Sequence, residues 1–208
     1  MTKHPKSLPD GTRRNEASRK AILTSAFDLV GEVGFAKLSI EAIAARAGVG
    51  KQTIYRWWPS KGAVFFDAFL MLSEDQVSGY PALPDTGDLE ADLKSVLRAT
   101  VGELNDPRYD EPMRALTTEI VHDPELAATY AERLREPMRR LKVDRLRKAQ
   151  EAGQLDAGTD LDLAVEMLWG PLLNRWLQRT EPLTVEYADL VVETALHGLS
   201  PRTQARVA

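Results

Sequence analysis

The sequence predicts an all-α protein: a three-helix unit built on a helix-turn-helix, then a larger α-helical domain. Three observations lead there. Apolar residues recur every three or four positions in one segment after another, the period of a helix with one buried face. No segment shows the two-residue alternation of a half-buried strand. The stretch Leu38 to Lys61, LSIEAIAARAGVGKQTIYRWWPSK, joins two short helical patterns through a glycine turn.

Residues 1–13 hold two prolines, a glycine and several basic groups, and read as a flexible tail. A first helix is expected from Arg14 to about Glu32, with Ile22, Leu23, Ala26, Phe27 and Val30 on one stripe. Gly34 ends it, and Phe35 and Leu38 plug the space beneath the helix-turn-helix. Ser39 is a good N-cap for a second helix with Ile40, Ile43, Ala44 and Ala47 inward. That helix must stop at Gly48, because glycine tolerates the left-handed conformation that closes helices. A third helix runs from Lys51 to about Trp58, with Ile54 and Trp58 on one face. Ser60 and Lys61 open a longer helix to about Ser78, whose Phe65, Phe66 and Phe69 are too many for one face of a small domain. It reads as a mechanical link. The expected boundaries are a tail over 1–13, the helix-turn-helix unit over 14–60, the connecting helix over 61–80 and the second domain over 81–208.

In the second domain, GYPALPDTGD is a turn-rich connector. Asp88 caps a helix to about Leu104 with Leu89, Leu93, Leu97 and Val101 inward. NDPRYDEP breaks the chain, and Pro112 suits the first position of the next helix. Asp123–Pro124 starts a long helix to about Glu151, interrupted at Pro137, with a mixed-charge run that reads as a solvated face. Asp160 and Thr184 cap the last two helices. Both are apolar on more than one side, so one side should meet another subunit.

Composition narrows the function. The chain has 208 residues, enough for one or two domains with a real core. It has no cysteine, which excludes disulfides and thiolate metal sites. His4, His122 and His197 are far apart, so no metal site and no cofactor is expected. The N-terminus lacks an apolar signal region, and no run approaches the ~18 residues of a membrane span. The expected setting is cytoplasmic. Net charge is −4, but residues 1–61 carry 11 basic and 5 acidic residues while the remainder carries 16 and 26. The basic footprint is thus confined to the N-terminal third.

The third helix presents Lys51, Gln52, Thr53, Tyr55 and Arg56 outward, donors and cations suited to phosphates and base edges. AIAARAGVGKQTIYRWWPSK resembles the DNA-binding segment of the TetR-type transcriptional repressors, and the likeness spans roughly Arg19 to Leu72. It rests on the glycine turn, the Thr-x-Tyr of the third helix, and the aromatic and Ser-Lys pair that open the fourth. Departures are Gly50 in place of an N-capping residue, Gly62 in place of an acidic one, and the doublet Trp57–Trp58. The resemblance implies phosphate contacts for Tyr55 and Lys61. The DNA-binding set is therefore Lys51, Gln52, Thr53, Tyr55, Arg56, Trp57 and Lys61. It also implies a homodimer on double-stranded DNA, released when an effector shifts the Phe65–Leu72 helix and changes the spacing of the recognition helices. That spacing must match roughly 34–36 Å of DNA repeat or a related value.

Other chemistry finds little footing. Gly48-Val49-Gly50-Lys51 looks like a phosphate loop, but Ala45 and Gln52 stand where that motif needs glycine and a hydroxyl. No histidine has an identifiable nucleophile and carboxylate beside it. The alternatives to a regulator are a ligand-binding or adaptor protein that kept the fold, and an enzyme with an unrecognised site. Proline inside helical patterns, at Pro137 and Pro171, splays helices and makes room for a small effector. Leu97, Val101, Met113, Thr117, Ile120, Met138, Trp169 and Leu173 are its expected lining, which favours an apolar or aromatic compound with few polar groups. The dimer seam is expected at Leu172, Trp176, Leu190, Val191 and Thr194.

Overall fold

The computed structural model describes residues 10–74 and 82–199. Ten α-helices and no strand occur among the described residues: α1 Asp10–Val33, α2 Ile40–Ala47, α3 Lys51–Tyr55, α4 Lys61–Glu74, α5 Leu89–Asn105, α6 Pro107–His122, α7 Pro124–Tyr130, α8 Glu136–Glu151, α9 Leu161–Gln178 and α10 Val185–Leu199. A short 3-10 turn, Phe35–Lys37, follows α1, and a π turn, Ala131–Arg135, separates α7 from α8. Most of the expected tail, residues 1–9, lies outside the described residues, as do the expected end of the connecting helix at Ser78 and the start of the connector.

The chain divides into two compact units. Unit 1 holds residues 1–78 together with 111–127; unit 2 holds 79–110 and 128–208. The linear boundaries expected from sequence therefore differ from the spatial ones, because residues 111–127 join the first unit. Amphipathic periodicity says which face of a helix is buried, not against what.

In unit 1, α1 packs against α2 and α4. It begins at Asp10, earlier than expected, because its first turns carry no apolar residue to mark them. Ile22, Leu23, Ala26 and Val30 are buried as one stripe, and Gly34 follows with φ 77°. The ring of Phe65 stacks on Phe27 and meets Phe35 at 5.4 Å between centroids. Phe65, Phe66 and Phe69 are all buried. Near the start of α4, a Cβ on Gly62 would lie 3.1 Å from Leu126 Cδ2. The Ser60 hydroxyl donates to Asp123 at 3.5 Å. Asp123 also caps α7, accepting from the amides of Glu125 and Leu126.

In unit 2, α10 packs on α5 and α9, and α9 packs on α8. Asp88, Asp160 and Thr184 each cap the helix immediately after them, as expected. Helix α6 starts at Pro107 rather than Pro112, because Asp106 provides the cap one residue before that proline. The long helix expected after Pro124 is broken by the π turn that ends two residues before Pro137. Proline lacks the amide that would close the preceding turn and its ring crowds the carbonyl four residues back; widening that turn relieves both.

The run on α8 expected to be a solvated face is not wholly exposed. Arg145 is buried, donating to the Pro84 carbonyl at 2.7 Å and to Asp92 at 2.8 Å. Asp92, buried on α5, also accepts from the amide and hydroxyl of Thr86. This network fixes the end of the connector onto α5 and α8.

Candidate nucleic-acid interface

The helix-turn-helix is set by short-range chemistry. The Ser39 hydroxyl accepts from the Ala42 amide at 3.1 Å, satisfying one of the unpaired donors at the start of α2. Gly48 sits in the left-handed region with φ 68° and returns its amide to the Ala44 carbonyl. Only Gly50 separates Val49 from α3, and it caps α3 without a side chain. Buried Ile54 and Trp58 hold α3 against the unit. Helix α3 is shorter than expected, ending at Tyr55. Arg56 and Trp57 continue as a turn, with the Trp58 amide donating to the Ile54 carbonyl.

The opposite face is open. Lys51, Gln52 and Arg56 are exposed, Thr53 and Trp57 half-buried, and Tyr55 is 55% exposed although aromatic. The Arg56 guanidinium lies 5.0 Å over the Trp57 ring, and Trp57 meets Trp58 edge-on. The unusual doublet thus splits its roles: Trp58 is an internal anchor and Trp57 a platform for a cation.

Two expected contact residues are engaged within the protein. Lys51 Nζ donates to Glu41 at 2.9 Å, and that hydrogen bond holds the Glu41 carboxyl below its ordinary range. Lys61 turns its ammonium inward, donating to the carbonyls of Phe35 and Leu38 at 3.2 Å each and lying 4.5 Å from the Phe35 ring centroid. Two of its three donors are therefore spent on the turn that enters α2. Sequence reasoning missed Glu41, and it missed Asp67, whose carboxylate accepts from Trp58 Nε1 and from Arg19, both at 2.9 Å. That carboxylate ties α1, the end of the helix-turn-helix and α4 to one point. Neither acid lies at the three- or four-residue spacing that flags a partner on one helix.

Residues 22–68 match the family described as bacterial regulatory proteins, tetR family, and residues 83–195 match the tetracyclin repressor-like C-terminal domain. The chain belongs to the TetR family. It is a helix-turn-helix transcriptional regulator of that family. It is 32% identical to the HTH-type transcriptional regulator YdeS of Bacillus subtilis strain 168, over 91% of this chain and 93% of that one. It is 28% identical to the DNA-binding transcriptional repressor TetR of Mycobacteroides abscessus, over 72% and 75% of the two chains. Among solved structures, it resembles the TetR family transcription regulator SCO0332, with a TM-score of 0.69, 34% identity, and 88% and 99% of the chains covered. It also resembles the flavonoid-responsive regulator FrrA, with a TM-score of 0.66, 25% identity, and 90% and 99% covered.

The expected effector lining of this TetR-family chain does not gather in one unit. Leu97, Val101 and Trp169 are buried in unit 2 and Met138 is half-buried there, but Leu173 is 46% exposed. Met113, Thr117 and Ile120 belong to unit 1, and the Thr117 hydroxyl donates to the Met113 carbonyl. The expected seam also divides. Leu172 and Trp176 are buried inside the protomer, with Trp176 Nε1 donating to Asp110 at 2.6 Å. Leu190, Val191 and Thr194 instead line an open apolar groove of about 410 Å³, with Met167, Pro171, Tyr187 and Ala195. Leu163, Met167 and Leu177 form an exposed stripe along α9 beside it. No helix among the described residues is long and apolar enough to cross a membrane.

Proposed function

We propose that this regulator is a homodimeric repressor that binds an operator through α3 and leaves it when a small, mainly apolar effector binds unit 2. The observation that carries this reading is the unpacked polar face of α3. A five-residue helix held from behind by Ile54 and Trp58 offers Gln52, Tyr55 and Arg56 to an outside partner, with Lys51 exposed beside them in its pair with Glu41. Lys or Arg suits guanine, Gln suits adenine, and Tyr55 suits a phosphate. Lys61 supports the interface from within. The exposed stripes of α9 and α10 support a symmetric dimer, since contiguous apolar surface on a soluble protein marks an association site. Likeness to a flavonoid-responsive regulator supports a small aromatic or apolar effector.

Mobility shift with the DNA flanking the protein's own gene, repeated across salt concentrations, tests this. Binding to one segment that outlasts non-specific binding as salt rises is the expected result. Equal binding to every segment would leave the fold without the repressor function.

A further inference from the structure

We propose that Lys142 is the anion anchor of the effector site, so that unit 2 takes a hydrophobic carboxylate with its charged end on this ammonium and its apolar body against Trp169. The inference rests on the effector reading above and names the ligand's chemistry. Lys142 lies one helical turn after half-buried Met138 and three residues before buried Arg145, on the inward stripe of α8. Its Nζ sits 4.3 Å from the centroid of the Trp169 ring, and Trp169 is 5% exposed. A lysine with access to water extends its ammonium outward; this one folds over an interior indole.

It also has no counter-ion, which on α8 it shares only with Arg140, an exposed side chain. On the same helix, Arg139 pairs with Glu136 and Asp162, Arg145 with Asp92, Arg147 with Asp144, and Lys148 with Asp85. Lys142 has no hydrogen bond or ion pair among the described residues. Its ring contact is a partial substitute for a carboxylate, because an aromatic face attracts a cation without accepting its protons. Burial pushes its pKa down to about 8, which still leaves it mostly charged at neutral pH. The cation is thus partly desolvated, charged and without a carboxylate partner. A single positive charge against an apolar wall calls for one negative charge on an apolar body, not for a phosphate ester with its several acceptors. The two helices that bring the groups together are both irregular, α8 behind the π turn and α9 with Pro171 two residues past Trp169. π turns recur at functional sites.

The test uses the full chain without DNA. 1-Naphthoate and decanoate are each titrated beside the matching uncharged amide, with binding read by calorimetry and tryptophan fluorescence. At least one carboxylate is expected to bind about tenfold or more tighter than its amide, a charge-assisted hydrogen bond being stronger than a neutral one. Lys142→Met should erase that ratio while amide binding and the thermal midpoint hold; Lys142→Arg should keep the ratio. In competitive acylation with acetic anhydride, Lys142 should be modified faster than surface lysines and be protected by the bound carboxylate. An undiminished ratio in Lys142→Met, or a wild-type protein that binds neither carboxylate in the millimolar range, overturns the inference. Operator binding is measured separately. Its loss alongside a Lys142-dependent carboxylate preference would sink the repressor reading and leave this one standing; intact operator binding with no preference would do the reverse.

Discussion

Asp92 shows at the scale of one residue what the sequence concealed. Arg145 sits in a run that reads as solvated charge and nothing in the sequence marks Asp92 in the first turn of α5, yet both are buried and bonded to each other. Charge periodicity cannot show that a loop will fold back and supply Thr86 and Pro84 as partners. Burial alone would raise the Asp92 carboxyl, but hydrogen bonds from Arg145 and Thr86 outweigh it and hold the pKa below the ordinary value. A depressed folded-state pKa stabilises above the unfolded value and loses that stabilisation as pH falls through the folded one. The linkage therefore operates below about pH 4, the unfolded aspartate value. Asp92→Asn should cost about 3–5 kcal/mol in urea unfolding, since it strands a buried guanidinium. It should also flatten the acid limb of stability. Lys61 gives a second prediction. With its donors on carbonyls, Lys61→Ala should lower the thermal midpoint by the equivalent of about 1–2 kcal/mol while leaving the salt slope of DNA binding unchanged. Arg56→Ala should instead flatten that slope by about one, as loss of a phosphate contact does. Equal slopes for the two variants would restore Lys61 to the DNA.

At the scale of elements, most helices were legible because their signals are local. Ser39, Gly48, Asp88, Asp160 and Thr184 act within four residues, and each did in the fold what its type and place indicate. Helix α3 was legible in place but not in length, since nothing in the sequence marks the end of a turn that packing enforces. The face of each helix was readable, its partner was not: Leu172 and Trp176 look as apolar as a dimer seam requires, and packing within the protomer claimed them. Gly62 is a case where the partner explains the sequence. The resemblance leads one to expect an acidic side chain here, and even a Cβ at this position would lie 3.1 Å from Leu126 Cδ2. Gly62→Ala should destabilise by about 1 kcal/mol, the low end of overpacking. Leu126→Ala should destabilise through its cavity. Together they should cost less than the sum, because each relieves the other. Strict additivity in denaturant melts would show that the two residues do not compete for this space.

At the scale of the whole molecule, the exposed stripes of α9 and α10 set the prediction for assembly. Leu190 is 56% exposed in the protomer, so Leu190→Glu should leave the helical fold and melting of dilute protein intact. In a dimer it would place an unpaired charge in an apolar seam at a cost of several kcal/mol. Sedimentation should show monomers, and operator affinity should fall with the loss of the second half-site. Trp176→Glu should fail differently, by unfolding unit 2. A dimeric Leu190→Glu would move the seam off this groove. The two-part make-up of unit 1 has a consequence for how the protein comes into being. Residues 111–127 contribute Leu116 and Leu126, both buried, to a unit whose other portion ends at residue 78. During synthesis the helix-turn-helix emerges first, and Leu116 and Leu126 can join its unit only after that later stretch has left the ribosome. The whole of α5 is made between the two portions, so a piece of chain that ends at residue 78 leaves both of those side chains behind.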